Sequence, residues 1–334
     1  MDLKAPLKTL SIITPCYNEE ANIREVYRRV RAVMAEVGRY RYEHIFIDNS
    51  SRDRTVQILK AIARIDTNVK LIVNARNFGH IRSPMHALCQ ATGDAVIGIV
   101  ADLQDPPELI PEMLEKWEQG FAMVLCIKET SEENPAMFWI RKRYYRLVQR
   151  LSSLETFENF TGFGLYERRV VNIIKSLDDP YPYFRGIIAE IGLPHATIMY
   201  RQPRRTRNST KNNFYSLYDI AMLGITNLSK VPLRLVTFAG FVTGLLSLLA
   251  GFGYLIYKLL FWNNFSVGIA PLVLGLFFFG SVQLVSMGIL GEYIGAIHTQ
   301  ILKRPYVVEK ERVNFEHPPG LPRSPGTLLA EETA

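Results

Sequence analysis

The sequence predicts an α/β domain, a mostly parallel sheet with helices on both faces, followed by a hairpin of two membrane-crossing helices. Three observations predict it. Short apolar runs alternate with helix-period segments through the first half of the chain, the pattern of a parallel sheet. Polar clusters fall where those runs end, and ligands bind beyond the carboxyl ends of such strands. No Asp, Glu, Lys or Arg occurs between Arg234 and Lys258, nor between Lys258 and Glu292.

Leu10–Ile13 reads as the first strand, ending at Thr14-Pro15. Ala21–Val37 follows as a helix, with Ile23, Val26, Val30, Val33 and Val37 at helical spacing. His44–Ile47 is a strand, Thr55–Ile65 a helix, Val69–Val73 a strand, Ser83–Ala91 a helix and Ala95–Val100 a strand. Glu108–Gln119 reads as a further helix behind Pro106-Pro107, and Phe121–Ile127 as a further strand. Residues 139–154 place Ile140, Tyr144, Leu147, Val148 and Leu151 on one side and basic residues on the other. That basic amphipathic pattern suits a membrane interface or a solvated helix packed on the domain, and the apolar segments downstream favour the interface.

Two segments, about 233–260 and 267–297, are long enough to cross a hydrocarbon core of roughly 30 Å, and they lie within a membrane unit of 232–298. A soluble hairpin of core helices is the alternative, disfavoured by their length. Lys230 and Arg234 precede the pair, and Lys303 and Arg304 follow it. By the positive-inside rule the large N-terminal domain and both termini face the cytoplasm. The expected organisation is a domain over 1–212, an interfacial helix over 213–231, the hairpin, and a cytoplasmic tail over 299–334 whose end reads as disordered.

The chain of 334 residues carries 39 basic and 32 acidic residues, a net charge of +7, which suits an anionic partner. Cys16, Cys89 and Cys126 have no disulfide or metal spacing. Three clusters carry candidate chemistry. Thr14-Pro15-Cys16-Tyr17-Asn18-Glu19 offers a flat platform with carboxylates for a nucleobase, or simply a turn and helix cap. Asp48-Asn49-Ser50-Ser51-Arg52-Asp53 offers acceptors for a base or ribose, or a capping box. Asp102-Leu103-Gln104-Asp105 groups oxygen ligands that suit Mg²⁺ or Mn²⁺ completed by substrate phosphates, or forms an acidic loop. A fourth, basic stretch runs from Arg201 to Lys211, fitted to diphosphate oxygens or to anionic lipid.

Taken in order with the trailing hairpin, these clusters resemble the family-2 glycosyltransferases of the polyprenyl-phosphate type. Arg76-Asn77-Phe78-Gly79-His80 and Tyr183-Phe184-Arg185-Gly186 add to the resemblance, which covers nearly the whole chain. It implies a GT-A (Rossmann-like) fold, a nucleotide-diphosphate sugar donor, a divalent metal (Mg²⁺ or Mn²⁺), and inverting transfer of a hexose to a polyprenyl phosphate. By resemblance, Pro15, Tyr17 and Glu19 line the base and ribose pocket with Asp48 on the base, and Asp102 and Gln104 hold the metal. Arg205, Ser209 and Lys211 close over the donor, with Asp102, Arg205 and Lys211 in the catalytic roles. Arg143 and Arg146 are candidates for the acceptor phosphate. Tetramers among bacterial relatives suggest a homo-oligomer by analogy.

Two positions depart from the pattern. Val100 stands where an acidic metal ligand is expected, with Asp105 a substitute, and Gly162 stands where relatives carry Asp. Three rival readings follow. A tethered nucleotide-sugar binder without catalysis accounts for both departures. A processive polysaccharide synthase would need more spans. A nucleic-acid-binding protein fits only the charge, with no reading motif present.

Overall fold

A computed structural model describes residues 7–129, 157, 159–203, 222–224, 226, 229–261 and 269–315. The interface helix expected over 139–154, most of that over 213–231 and the tail from 316 onward lie outside the described residues.

Eight strands form one sheet in the order β7-β5-β6-β4-β1-β2-β3-β8. The first four are β1 (Thr9–Cys16), β2 (Arg41–Asp48), β3 (Val69–Asn74) and β4 (Ala95–Gly98). β1 pairs in parallel with both β2 and β4, and β2 with β3. Leu10, Ile12, Ile45, Phe46, Ile47, Leu71 and Ile97 are fully buried, because a strand covered on both faces needs apolar side chains on each.

The helices α1 (Ile23–Val37), α2 (Thr55–Ala63), α3 (Gly79–Gln90) and α4 (Ile110–Glu118) connect these strands. α1 buries Ile23, Val26, Val30, Val33 and Met34, three to four residues apart, as one stripe facing the sheet. α3 starts earlier than the Ser83 expected and contains Pro84. Pro84, the sixth residue of α3, gives no N–H to the His80 carbonyl, so the helix lacks that bond in its second turn.

Beyond β5 (Met123–Lys128), β6 (Phe160–Glu167) runs antiparallel to both β4 and β5. Its stretch Asn159-Phe160-Thr161-Gly162-Phe163-Gly164 is too broken by glycine to read as a strand. A Cβ at Gly164 would lie 2.3 Å from the Val124 carbonyl oxygen, so the pairing of β5 with β6 needs glycine there. α5 (Arg168–Ser176), α6 (Phe184–Ile191) and β7 (His195–Tyr200) complete this side, β7 lying parallel to β5.

Two long helices follow, α7 (Val231–Leu260) and α8 (Ile269–Ile301). None of the 30 residues of α7 is buried. Leu235, Phe238, Phe241, Leu248, Phe252, Leu272, Phe277 and Leu284 are all more than half exposed. A pair of helices this apolar and this exposed among the described residues suits a hydrocarbon environment. Val231–Leu260 and Gly275–Ile301 both have the length and composition of membrane spans. Tyr293 of α8 donates to the Ser229 carbonyl (2.6 Å), pinning the helix pair at its base.

After α8 the chain returns to the sheet. β8 (Glu309–Val313) pairs antiparallel with β3, where only a tail was expected. Glu309 meets His86 at 2.5 Å, Glu311 meets Lys60 at 2.6 Å, and Asn314 donates to the carbonyls of Ala63 (2.7 Å) and Val69 (2.9 Å). Val307 is buried, while Tyr306 and Phe315 pack on the core.

Candidate functional site

The strand register brings three of the four candidate clusters to one edge. Cys16 is level with Asp48, Ile13 with Gly98, and the Ile99 N–H donates to the Ile13 carbonyl at 2.9 Å. The loops after β1, β2 and β4 therefore leave the sheet side by side. Each contains a residue in the left-handed region: Asn18 (φ 54°), Ser50 (φ 65°) and Leu103 (φ 63°). Such conformations in non-glycine residues concentrate where loops are shaped for a ligand.

The first two loops are bonded across to one another. The Asn18 N–H donates to Ser51 Oγ (2.8 Å), Glu19 N–H to Thr55 Oγ1 (2.9 Å) and Glu20 N–H to Asp53 (3.1 Å). In return the Arg52 N–H donates to Asn18 Oδ1 at 2.8 Å. Pro15, Tyr17 and Glu19 thus sit on a braced loop, each partly exposed. Asp48 differs. It is fully buried, and its two oxygens take the Ser51 N–H (2.9 Å) and the Ser51 hydroxyl. Burial pushes its carboxyl above the ordinary range despite those bonds. In this arrangement Asp48 builds the turn at the end of β2.

Asn49, next to it, is a hub that sequence reasoning did not single out. Its amide donates to Asn77 Oδ1 and to the Gly79 carbonyl, both at 3.0 Å. Its oxygen accepts from the Phe78 N–H (2.8 Å) and from Asn74 (3.2 Å). Asn49 therefore ties the 76–80 segment to the end of β2. Its partners are 25 to 30 residues away in sequence, so no local pattern announces it.

After β4, Val100 is exposed, Asp102 and Gln104 are partly exposed, and Asp105 is buried. The Gln104 N–H donates to Asp102 Oδ1 at 3.1 Å, which holds the two candidate metal ligands together. Asp105 accepts from the Val100 N–H (3.2 Å) and the Tyr200 hydroxyl (3.1 Å), and burial raises its pKa to about 6. Asp105 fastens the loop through these bonds and, with Val100, lines a cavity at the site. Among the described residues no cluster of three His, Cys, Asp or Glu side chains could hold a metal. One carboxylate and one carboxamide fit Mg²⁺ or Mn²⁺ when substrate phosphates complete the shell.

Gly162 has φ +99°, and its carbonyl accepts from Tyr166 at 2.8 Å. The backbone here takes a form that L side chains rarely adopt, so the chain path itself favours glycine at 162. Gly162, Pro15, Val100, His80, Tyr183 and Arg185 wall a common cavity of about 270 Å³. The two motif stretches given no role in the sequence, around His80 and around Tyr183, are thus joined in one place. Leu223 lines both this cavity and a groove against Gly295, Ala296 and Thr299 of α8.

Arg205, Ser209, Lys211, Arg143 and Arg146 lie outside the described residues. The stretch leading to the first three begins beside the site, since Tyr200 bonds Asp105 and Arg201 pairs with Glu129 at 3.2 Å.

Residues 11–174 match the family described as Glycosyl transferase family 2. A chain of Bacillus subtilis called an uncharacterized glycosyltransferase is 34% identical, with 90% of this chain and 93% of that one covered. The bactoprenol glucosyl transferase of Shigella phage SfII is 35% identical, over 90% and 97%. Among solved structures, glucosyl-3-phosphoglycerate synthase of Mycobacterium tuberculosis with Mn²⁺, uridine diphosphate and phosphoglyceric acid is 18% identical. It has a TM-score of 0.45 and covers 66% of this chain and 76% of that one.

Proposed function

Because this chain belongs to glycosyl transferase family 2 and is a GT-A glycosyltransferase, we propose that it moves a hexose from a nucleotide-diphosphate sugar to a polyprenyl phosphate, with inversion. The observation that carries this reading is the shared cavity. Its walls come from the end of β1 and the loop after β4, and through Leu223 it adjoins the groove on α8. A soluble donor and a lipid acceptor can meet there.

In this reading Pro15, Tyr17 and Glu19 receive the base and ribose on the braced first loop. Asp102 and Gln104 hold Mg²⁺ or Mn²⁺, which when bound offsets charge on the leaving diphosphate. The basic stretch of Arg205, Ser209 and Lys211 closes over the same diphosphate with charge-assisted hydrogen bonds. An oxygen of the lipid phosphate attacks the anomeric carbon. The bond from that carbon to the diphosphate oxygen breaks, and the nucleoside diphosphate leaves with the electron pair. The nucleophile is already an anion, so no side chain need remove a proton, which agrees with glycine at 162. Rate then comes from placement and from stabilising the leaving group.

The C-terminal return to β3 supports a hairpin that enters and leaves on one side, the side of the catalytic domain. With Lys230, Arg234, Lys303 and Arg304 at its base, that side is the cytoplasm. Arg143 and Arg146 are assigned to the acceptor side on the same grounds. The test incubates purified protein with a panel of nucleotide sugars, Mn²⁺ or Mg²⁺, and polyprenyl phosphate. A glycosylated lipid is the expected product. Donor binding without product from any donor would make the protein a tethered binder instead.

A further inference from the structure

Three guanidinium groups gather where the exit of α8 meets the sheet. Arg76 follows β3, Arg82 lies in the first turns of α3, and Arg304 comes three residues after the end of α8. The Arg76 and Arg82 guanidinium carbons lie 4.0 Å and 5.6 Å from the centre of the Phe78 ring. Arg82 donates to the carbonyl of Pro305, beside Arg304. Its Nε is buried and has no hydrogen-bond partner. Among the described residues none of the three arginines forms an ion pair, whereas their neighbour Lys303 lies 3.8 Å from Asp178. Burial first, and then the nearby charges of Arg76 and Arg304, depress the pKa of Arg82.

Like charges held together, with a desolvated N–H unspent, cost free energy until an anion offsets them. The guanidinium fork matches phosphate oxygens. The position says which phosphates reach it. His80 and Ile81, just before Arg82, line the catalytic cavity. Tyr181, close enough to Arg82 to affect its charge, lines the groove on α8. We propose that Arg76, Arg82 and Arg304 form a binding site for the phosphate of a membrane lipid, held at the foot of α8 beside the catalytic cavity. That the lipid is the acceptor rests on the function proposed above; the site itself does not.

The experiment reconstitutes the full-length protein into phosphatidylcholine nanodiscs and measures its binding of undecaprenyl phosphate or of phosphatidylglycerol titrated into the bilayer. Arg304→Gln and Arg76→Gln are compared with Lys303→Gln, which removes the same charge from the same helix end. Arg304 is exposed and makes no described bond, so its replacement leaves the fold intact. Loss of one charged fork predicts about tenfold weaker lipid binding for Arg304→Gln and Arg76→Gln, and under about twofold for Lys303→Gln. A loss confined to undecaprenyl phosphate marks the acceptor; a loss seen with phosphatidylglycerol marks a headgroup, and both uphold the site. Equal effects of Arg304→Gln and Lys303→Gln, or none from either arginine variant, would overturn it. Failure of the functional reading looks different: intact lipid binding with no turnover of any donor.

Discussion

The loops after β1 and β2 are braced against each other, whereas the loop after β4 presents its side chains and is fastened from beneath through Asp105. The difference separates two tasks. Recognition of a nucleotide profits from a pocket already ordered, because binding then loses less conformational entropy. Transfer profits from groups aimed at charge that develops only during reaction. In the function proposed above, Asp102 and Gln104 serve the second task, and Pro15, Tyr17 and Glu19 the first.

The comparison breaks most readily at Asp102. Asp102→Ala should lower metal-dependent turnover by about a thousandfold or more, since half of a two-ligand site is gone. Its thermal midpoint should stay near that of the wild type, as the side chain is partly exposed. Turnover assays with and without Mn²⁺ check both halves of the expectation.

Asn49→Ala tests the braced side. It deletes four hydrogen bonds, and at roughly 1 kcal/mol net for each, offset by relaxation, the loss should be about 3 kcal/mol. Urea unfolding reads that loss, and nucleotide affinity should fall with it. Retained stability and affinity would show that the 76–80 segment is not held through Asn49.

The clasp formed by β8 provides a third contrast, because it depends on pH. Burial pushes the Glu309 carboxyl up, but His86 and Arg312 outweigh it and hold the pKa at about 2, below the ordinary 4.5. Its stabilisation is therefore full above pH 4.5 and is lost as pH falls toward 2. The amount is roughly 2 kcal/mol once solvent screening is allowed for. Protection factors of the 309–313 amides, corrected for intrinsic exchange at each pH, should fall over that window in the wild type, and Glu309→Gln should show lower protection at neutral pH with little further acid dependence.

The smallest effect is expected at Gly162. Asp at this position, with φ +99°, should cost about 1–3 kcal/mol and give no gain in turnover. A rise in rate for Gly162→Asp would mean that the missing acid matters after all.

Much of this arrangement could be read from the chain. β1 to β4 are legible because a strand buried on both faces is an apolar run, and the binding loops are legible because polar residues end those runs. β6 was hidden, its apolar run broken by Gly162 and Gly164, residues required by backbone geometry. β8 was hidden for the opposite reason: Glu309-Lys310-Glu311-Arg312-Val313 is mostly charged. It becomes a strand through long-range pairing with β3, an ion pair to Lys60 and a hydrogen bond to His86. The Asn49 hub and the three-arginine cluster depend on residues brought together from distant segments, which spacing along the chain does not reveal.

The most direct measurement is thermal unfolding of the wild type and Asp102→Ala with uridine or guanosine diphosphate, with Mn²⁺, and with each nucleotide and Mn²⁺ together. Stabilisation of the wild type by one nucleotide plus metal, well beyond the sum of the two alone, and its disappearance in Asp102→Ala is the predicted result. The same synergy in both proteins would place the diphosphate elsewhere and contradict the role given to the loop after β4.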